Sequence, residues 1–356
     1  MHSAERSTEY RAGMAHQSPR IVGAQDWSAI ERAARDFSEA TDAAIGSEAF
    51  VSAAGHATRM LPGVVHDALV DFADSPAQAG ALLLRGLPVG QLPPTPPSPT
   101  AAVAKDLISE FALVTVARRL GQPVGYEPEH GGDLVQNIVP TQAAADRQVS
   151  TSSKVELMFH TEAAFHPHRP RYLLLSCLRG DSSAATTLSS IHEVLPQLPA
   201  AVVDVLFEPR FRTAADESYL HGRANTLGAA TSVLRGPRLR PTMVFDADLM
   251  VGMDSEADDS LQALGAAVSA HHVGIVLEAG DLLIVDNTIA VHGRTPFTPR
   301  FDGTDRWLQR TFVVSDLAPS AGDRFGRVIT TRFGVSAAPV SGFASASGPG
   351  SATMAR

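Results

Sequence analysis

The chain has a single cysteine, Cys177, among 356 residues. An intramolecular disulfide is therefore impossible, and so is any zinc or iron–sulfur site built from several thiolates. Basic residues are in deficit: Lys and Arg total 29 against 38 Asp and Glu, a net charge of −9. A nucleic-acid binder needs a basic stripe to replace phosphate counterions, so no nucleic acid is expected as a partner. Long apolar runs are missing too. None reaches the ~18 residues of a membrane span, and a representative one, Ala79–Leu84, stops at Arg85. The opening MHSAERSTEY lacks the apolar stretch of a secretory signal. With neither a membrane partner nor a signal in view, a cytoplasmic location is expected. No internal repeat with a solenoid or propeller period occurs.

What is present suffices for a sizeable core: 44% of residues are hydrophobic and only 19% charged. Aperiodic Ser, Arg, His and Gly mark residues 1–20 as a disordered N-terminal tail. Ala/Ser/Gly-rich low complexity marks 336–356 as a second tail, leaving 21–335 as one domain. PPTPPSPT at Pro93–Thr100 reads as a stiff surface linker or lid edge. Trp27, Ile30, Ala33, Ala34 and Phe37 recur at helical spacing, with Asp26 as the expected N-cap. Val103–Leu120 predicts a helix ended by Gly121 and Pro123, and Ile191–Leu206 and Ser255–His271 predict two more. Compact or alternating apolar runs predict strands at Leu82–Leu87, Leu134–Val139, Tyr172–Cys177, Met243–Phe245, Gly274–Leu277, Leu282–Val285 and Leu308–Val314. Many short strands with helices outside them imply an α+β chain with a mainly β core, a sandwich or jelly roll under helical cover.

Chemistry concentrates in three places. In MFHTEAAFH, His160 and Glu162 are two apart, a spacing that puts both side chains on one face of a strand. Taken alone, H-x-E is a weak signal, and an ordinary hydrogen-bonded or exposed pair would look the same. Far downstream, GDLLIVDNTIAVHGRTPF delivers His292 from a buried strand, followed by Gly293, which lets backbones pass closely. Two His and one carboxylate form a facial triad that leaves half of an octahedral shell open, the ligand set of non-haem Fe(II) oxygenases. Arg306 follows His292 by fourteen residues on the next strand candidate, and Arg310 shares its face. A guanidinium there can grip a carboxylate bidentately, with the Thr187 hydroxyl as a second donor. The alternative for both arginines is a solvated edge strand.

Together HTE at 160–162, DN…VHGRTPF at 286–297 and RW-x-x-R at 306–310 resemble the clavaminate synthase-like Fe(II)/2-oxoglutarate-dependent oxygenases, nearest to their asparagine oxygenase and arginine hydroxylase group. The resemblance runs from about Gly80 to Val314. It implies a double-stranded β-helix, or jelly roll, with flanking helices. It also implies Fe(II), 2-oxoglutarate and O2 as cofactors, with iron on His160, Glu162 and His292 and the distal carboxylate of 2-oxoglutarate on Arg306 and Thr187. A carboxylate at 162 argues against halogenation, because related halogenases carry Gly or Ala there.

The same resemblance implies an L-amino-acid substrate, free or carrier-protein-bound, hydroxylated at Cβ or Cγ in natural-product (antibiotic) biosynthesis. Gln136 and Glu162 would receive its α-amine and Arg310 its α-carboxylate. Asp216, Glu217 and Ser218 match the mobile lid of amino-acid hydroxylases, and Asp246 and Asp248 sit where arginine hydroxylases place carboxylates. Three acids facing one pocket favour a cationic side chain such as Arg, Lys or a cyclic relative. If Asp248 is structural and only Asp246 reaches the pocket, a neutral amide or ring fits as well. Desaturation or cyclisation with the same cofactors stays open, since no residue separates it from hydroxylation. A cupin-like metal protein without redox chemistry is the remaining alternative, disfavoured by Arg306. His166, His168, His271, His272, Cys177, Asp281 and Asp286 are expected in loops, caps, turns or core, without catalytic roles.

Overall fold

The computed structural model describes residues 18–334 except Ala77 and His221. The expected C-terminal tail and residues 1–17 of the N-terminal one lie outside the described residues. Arg20, assigned to that tail, instead opens strand β1 (Arg20–Val22), which pairs in parallel with β2 (Ala81–Leu84).

Two sheets face each other. The larger contains β1, β2, β3 (Gln122–Tyr126), β4 (Gln136–Ile138), β6 (Tyr172–Arg179), β13 (Leu282–Asp286) and β15 (Trp307–Val314), with β16 (Arg324–Phe325) and β17 (Val328–Ile329) at one edge. Its central order is β2-β13-β6-β15-β3, and β4 also pairs with β15. The smaller sheet has the order β12-β7-β14-β5, formed by β5 (Leu157–His160), β7 (Ala185–Ser190), β12 (Val273–Val276) and β14 (Ala290–Arg294). Together they make the double-stranded β-helix, or jelly roll, that the family resemblance implied and that agrees with the strand density. Between β7 and β12 an excursion adds two hairpin pairs, β8 (Phe211–Thr213) with β11 (Met250–Gly252) and β9 (Leu234–Arg235) with β10 (Thr242–Met243).

Alternation along the central strands explains their continuous apolar sequences. Leu82, Leu84, Tyr172, Leu174, Leu282 and Ile284 face a layer of helices, joining Phe50, Leu69 and Phe111 in one core. Their neighbours Ala81, Leu83, Leu173, Leu175, Leu283 and Val285 face the space between the sheets, against Leu188 and Ala290. Both faces are covered, so no polar residue marks the period of two.

The helices start and stop where polar side chains intervene. The first runs Ser28–Ala40 with Trp27 at the N-cap; the expected cap, Asp26, lies one residue earlier and accepts the Ser28 amide instead. The helix predicted from Val103 begins at Ile108, because Asp106 accepts the amides of Gln91 and Ile108 and holds the preceding chain off-axis. Ile191–Leu206 is interrupted: Ile191–Val194 and Ala200–Leu206 flank a 3-10 turn containing Pro196, with Pro199 at the next N-cap. Among the described residues no helix is long and apolar enough to cross a membrane.

Candidate active site

The smaller sheet brings the first constellation together. β5 and β14 are antiparallel with His160 opposite His292, and their rings lie 4.3 Å apart between centroids. β5 ends at His160, so Glu162 is held by its backbone rather than by strand pairing. The Asn287 side-chain oxygen accepts the Glu162 amide at 2.7 Å, and its NH2 donates to the carbonyls of Glu162 (3.1 Å) and Pro170 (2.9 Å). Sequence reading took Asp286-Asn287 as a turn and missed this clamp. One ligand atom from each of His160, Glu162 and His292 lies within 4.8 Å of the others.

These atoms suit a cation. His160 Nδ1 must donate to the Met158 carbonyl at 2.8 Å, which leaves the lone pair of Nε2 free in the neutral ring. Glu162 Oε2 and His292 Nδ1 are buried without a hydrogen-bond partner. Burial alone would raise the Glu162 carboxyl, but Arg310, His292 and His160 hold it down at about 2. Burial, with His160 alongside, pushes His292 down to about 4, so it offers a neutral nitrogen.

A cavity of about 630 Å³ opens over the triad. Arg306, just before β15, and Arg310 within it both reach its wall; with β6 on one side and β3 and β4 on the other, β15 is no edge strand. The hydroxyl beside Arg306 belongs to Thr186 (3.3 Å), not to Thr187. This corrects the sequence assignment for a simple reason. Residues 186 and 188 of β7 point between the sheets, so Thr187 points away, and its buried hydroxyl has no hydrogen-bond partner. Arg306 itself is 6% exposed and pairs with no carboxylate among the described residues. An unpaired buried guanidinium is costly unless an anion arrives, which fits a 2-oxoglutarate carboxylate.

Arg310 is engaged differently. Its Nη2 donates to Glu129 at 2.6 Å and to the Gln136 side-chain oxygen at 2.6 Å, and its Nη1 lies 3.5 Å from Glu162. Gln136 thus holds Arg310 and does not line the cavity. Glu129 was missed in the sequence; it lies in a polar turn between β3 and β4, where only tertiary packing brings its side chain down to 12% exposed.

The cavity is also lined by Asp216, Ser218, Asp246 and Asp248, and Asp246 forms an antiparallel backbone bridge with His160. Asp246 Oδ1 accepts the amides of Asp248 (2.9 Å) and Leu249 (2.8 Å), and burial raises its pKa despite His160 and those amides. Burial, reinforced by the charge of Asp246, pushes Asp216 up to about 7. Pro99 and Thr100 of the Pro-rich segment also reach the rim. Arg179 ties that segment down through the Pro93 carbonyl and Thr95, so it is docked to the body.

Residues 62–312 match the Taurine catabolism dioxygenase TauD, TfdA family. The chain is 40% identical over 291 residues to an L-lysine 3-hydroxylase of Catenulispora acidiphila, covering 80% of this chain and 81% of that one. It superposes on asparagine oxygenase in complex with Fe(II), 2S,3S-3-hydroxyasparagine and succinate with a TM-score of 0.82 at 36% identity, over 87% and 99% of the two chains. For the non-heme iron oxygenase OrfP with Fe, succinate and (3S)-hydroxy-L-Arg the TM-score is 0.80 at 32% identity, over 88% and 100%.

The chain belongs to the TauD/TfdA dioxygenase family. It is an Fe(II)/2-oxoglutarate-dependent oxygenase of the clavaminate synthase-like kind, which removes the non-redox cupin reading. In the oxygenase the residues expected to be inert are so placed. Cys177 is buried with its thiol pushed up to about 12 by burial, and His271 caps the helix Ser255–Ala270. His166 lies in an aromatic cluster with Tyr126, and burial keeps it neutral.

Proposed function

We propose that this oxygenase hydroxylates the side chain of a free basic L-amino acid, lysine or arginine in type, at Cβ or Cγ. The carrying observation is the set of three carboxylates, Asp216, Asp246 and Asp248, that line the same cavity as the triad, with Asp246 bridged through its backbone to His160. Carboxylates confined together repel one another, and a cation relieves that repulsion with charge-assisted hydrogen bonds. The lysine hydroxylase and the hydroxyarginine-bound oxygenase support the same class.

In this reading His160, Glu162 and His292 hold the iron, and Arg306 with Thr186 holds the far carboxylate of 2-oxoglutarate. Iron, 2-oxoglutarate and O2 together supply the oxidising power that breaks a C–H bond. The chain's own work is positioning. Arg310, steadied by Gln136 and Glu129, receives the α-carboxylate; Glu162 faces the α-amine; Asp216, Asp246 and Asp248 take the cationic end. Ser218 and the 216–220 segment exclude water. Residues 21–335 act as one catalytic unit.

Asp246 favours a second reading. One of its oxygens is occupied by two backbone amides, which leaves a single acceptor suited to a neutral amide like that of asparagine. A panel of the twenty amino acids plus ornithine, citrulline and pipecolate separates the two, scored by succinate release and a mass gain of one oxygen. Arg, Lys or a cyclic guanidino relative is expected to lead. If Asn, Gln or an uncharged ring leads, the basic substrate is wrong; loss of two hydrogens without oxygen gain would show desaturation or ring closure.

A further inference from the structure

Tyr219 belongs to the 3-10 turn Glu217–Tyr219 that follows Asp216 on the cavity wall. Its neighbours Glu217 and Ser218 are exposed, yet Tyr219 is buried. Its ring lies against Phe165 at 4.9 Å, Tyr126 at 6.0 Å and Phe333 at 6.1 Å. Phe333 packs edge-on to Phe165 at 4.8 Å, so the chain beyond β17 supports this segment from behind. The outer tie is weaker: Arg147 meets Glu217 at 2.6 Å across the rim, but both side chains are exposed and screened.

The inner tie leads to the substrate site. The Tyr219 hydroxyl donates to Glu129 Oε2 at 3.3 Å, while Glu129 Oε1 accepts from Arg310 at 2.6 Å. Glu129 is thus shared between the segment that lines the cavity at Asp216–Ser218 and the arginine assigned to the amino acid's carboxylate. We propose that Tyr219 is a positioning residue that couples occupancy of Arg310 to closure of the 216–220 segment, with Glu129 as the relay. A substrate carboxylate competes with Glu129 for the Arg310 guanidinium. Glu129, still buried, then depends more on the Tyr219 hydroxyl, and the bond between them strengthens. Amino-acid binding and closure favour each other by linkage, and neither requires Tyr219 to touch the substrate.

The proposal rests on the assignment of Arg310 to an amino-acid carboxylate, and its test keeps the two apart. Tyr219→Phe keeps the ring in its aromatic cage and removes only the hydroxyl. Backbone-amide hydrogen exchange over 216–220 is measured with and without amino acid, in the metal-free protein and with Fe(II) plus 2-oxoglutarate. Closure predicts protection on adding amino acid in the unsubstituted protein and at least a several-fold smaller gain in Tyr219→Phe. In turnover, Tyr219→Phe should raise KM for the amino acid about tenfold and leave KM for 2-oxoglutarate unchanged. Succinate formed per hydroxylated product should rise, because an open segment lets 2-oxoglutarate be consumed without productive oxidation. Combining Tyr219→Phe with Glu129→Gln should add little to either alone. Equal protection in both proteins, or additive effects in the double variant, overturns the relay. Protection by neutral amino acids only overturns the basic substrate, and the comparison is then made with the protecting amino acid; protection by none overturns both proposals.

Discussion

His160, Glu162 and His292 contribute separable donors, so replacing any one by Ala should abolish Fe(II) binding and turnover while far-UV circular dichroism stays native. Near-native turnover in one variant would remove that residue from the ligand set. Arg306→Ala should raise KM for 2-oxoglutarate by one to two orders of magnitude, from a charge-assisted contact worth ~1.5–3 kcal/mol. Thr186→Val should raise it less, and Thr187→Val scarcely at all, since only Thr186 meets Arg306. Asp216 supplies a pH test. Its folded pKa is pushed up to about 7, so it is neutral below that pH and charged above it. A cationic side chain needs the charged form. kcat/KM for a basic amino acid should therefore rise with pH to a midpoint at or below ~7, bound iron pulling it downward. Asp216→Asn should flatten that limb, and a profile identical in both proteins would place Asp216 outside the binding contacts.

At the scale of the element, the triad depends on how closely β5, β7 and β14 pack. A Cβ on Gly293 would collide with the Leu157 carbonyl of β5 and stand 2.9 Å from the Thr187 hydroxyl of β7. Gly293→Ala should push β5 away from β14, and iron titration should show weakened binding even though no ligand is changed. Asn287→Ala should act from the other side. It strands the buried Glu162 amide and two carbonyls, costing ~1–3 kcal/mol for each unmatched group, and should lower both the melting temperature and iron affinity. A variant with native stability and iron binding would show that Glu162 needs no such clamp. Gly293 was legible in the sequence, because a glycine inside a strand and next to a ligand histidine marks a close approach of backbones. Asn287 was not legible: its partners are 117 and 125 residues away in the chain.

For the whole molecule, the helical layer supports the large sheet from the face opposite the cavity. Phe50 is fully buried there against Phe37 and Phe111. Phe50→Ala should cost ~3–5 kcal/mol of stability while both KM values hold, measured by denaturant unfolding beside steady-state kinetics. A changed KM for 2-oxoglutarate would mean that the layer tunes the site as well as the fold.

The sequence by itself determined the class of chemistry. His160, Glu162, His292 and Arg306 stand in three motifs that together resemble one oxygenase family, although H-x-E alone is weak, and the short apolar runs pointed to a layered β core. Tertiary structure alone decided the rest. Which of two adjacent threonines meets Arg306 depends on the phase of β7, and a strand buried on both faces with Thr or Ser on each, ATTLSS, carries no polarity pattern to set that phase. Gln136 and Glu129 converge on Arg310 because β4 pairs with β15, a neighbour 174 residues away for Gln136. Asp216 acquires its raised pKa only when folding withdraws it from water and sets it near Asp246. Local sequence specifies donors, acceptors and periodicity; distance, burial and the field of neighbouring charges come into being when remote segments pack.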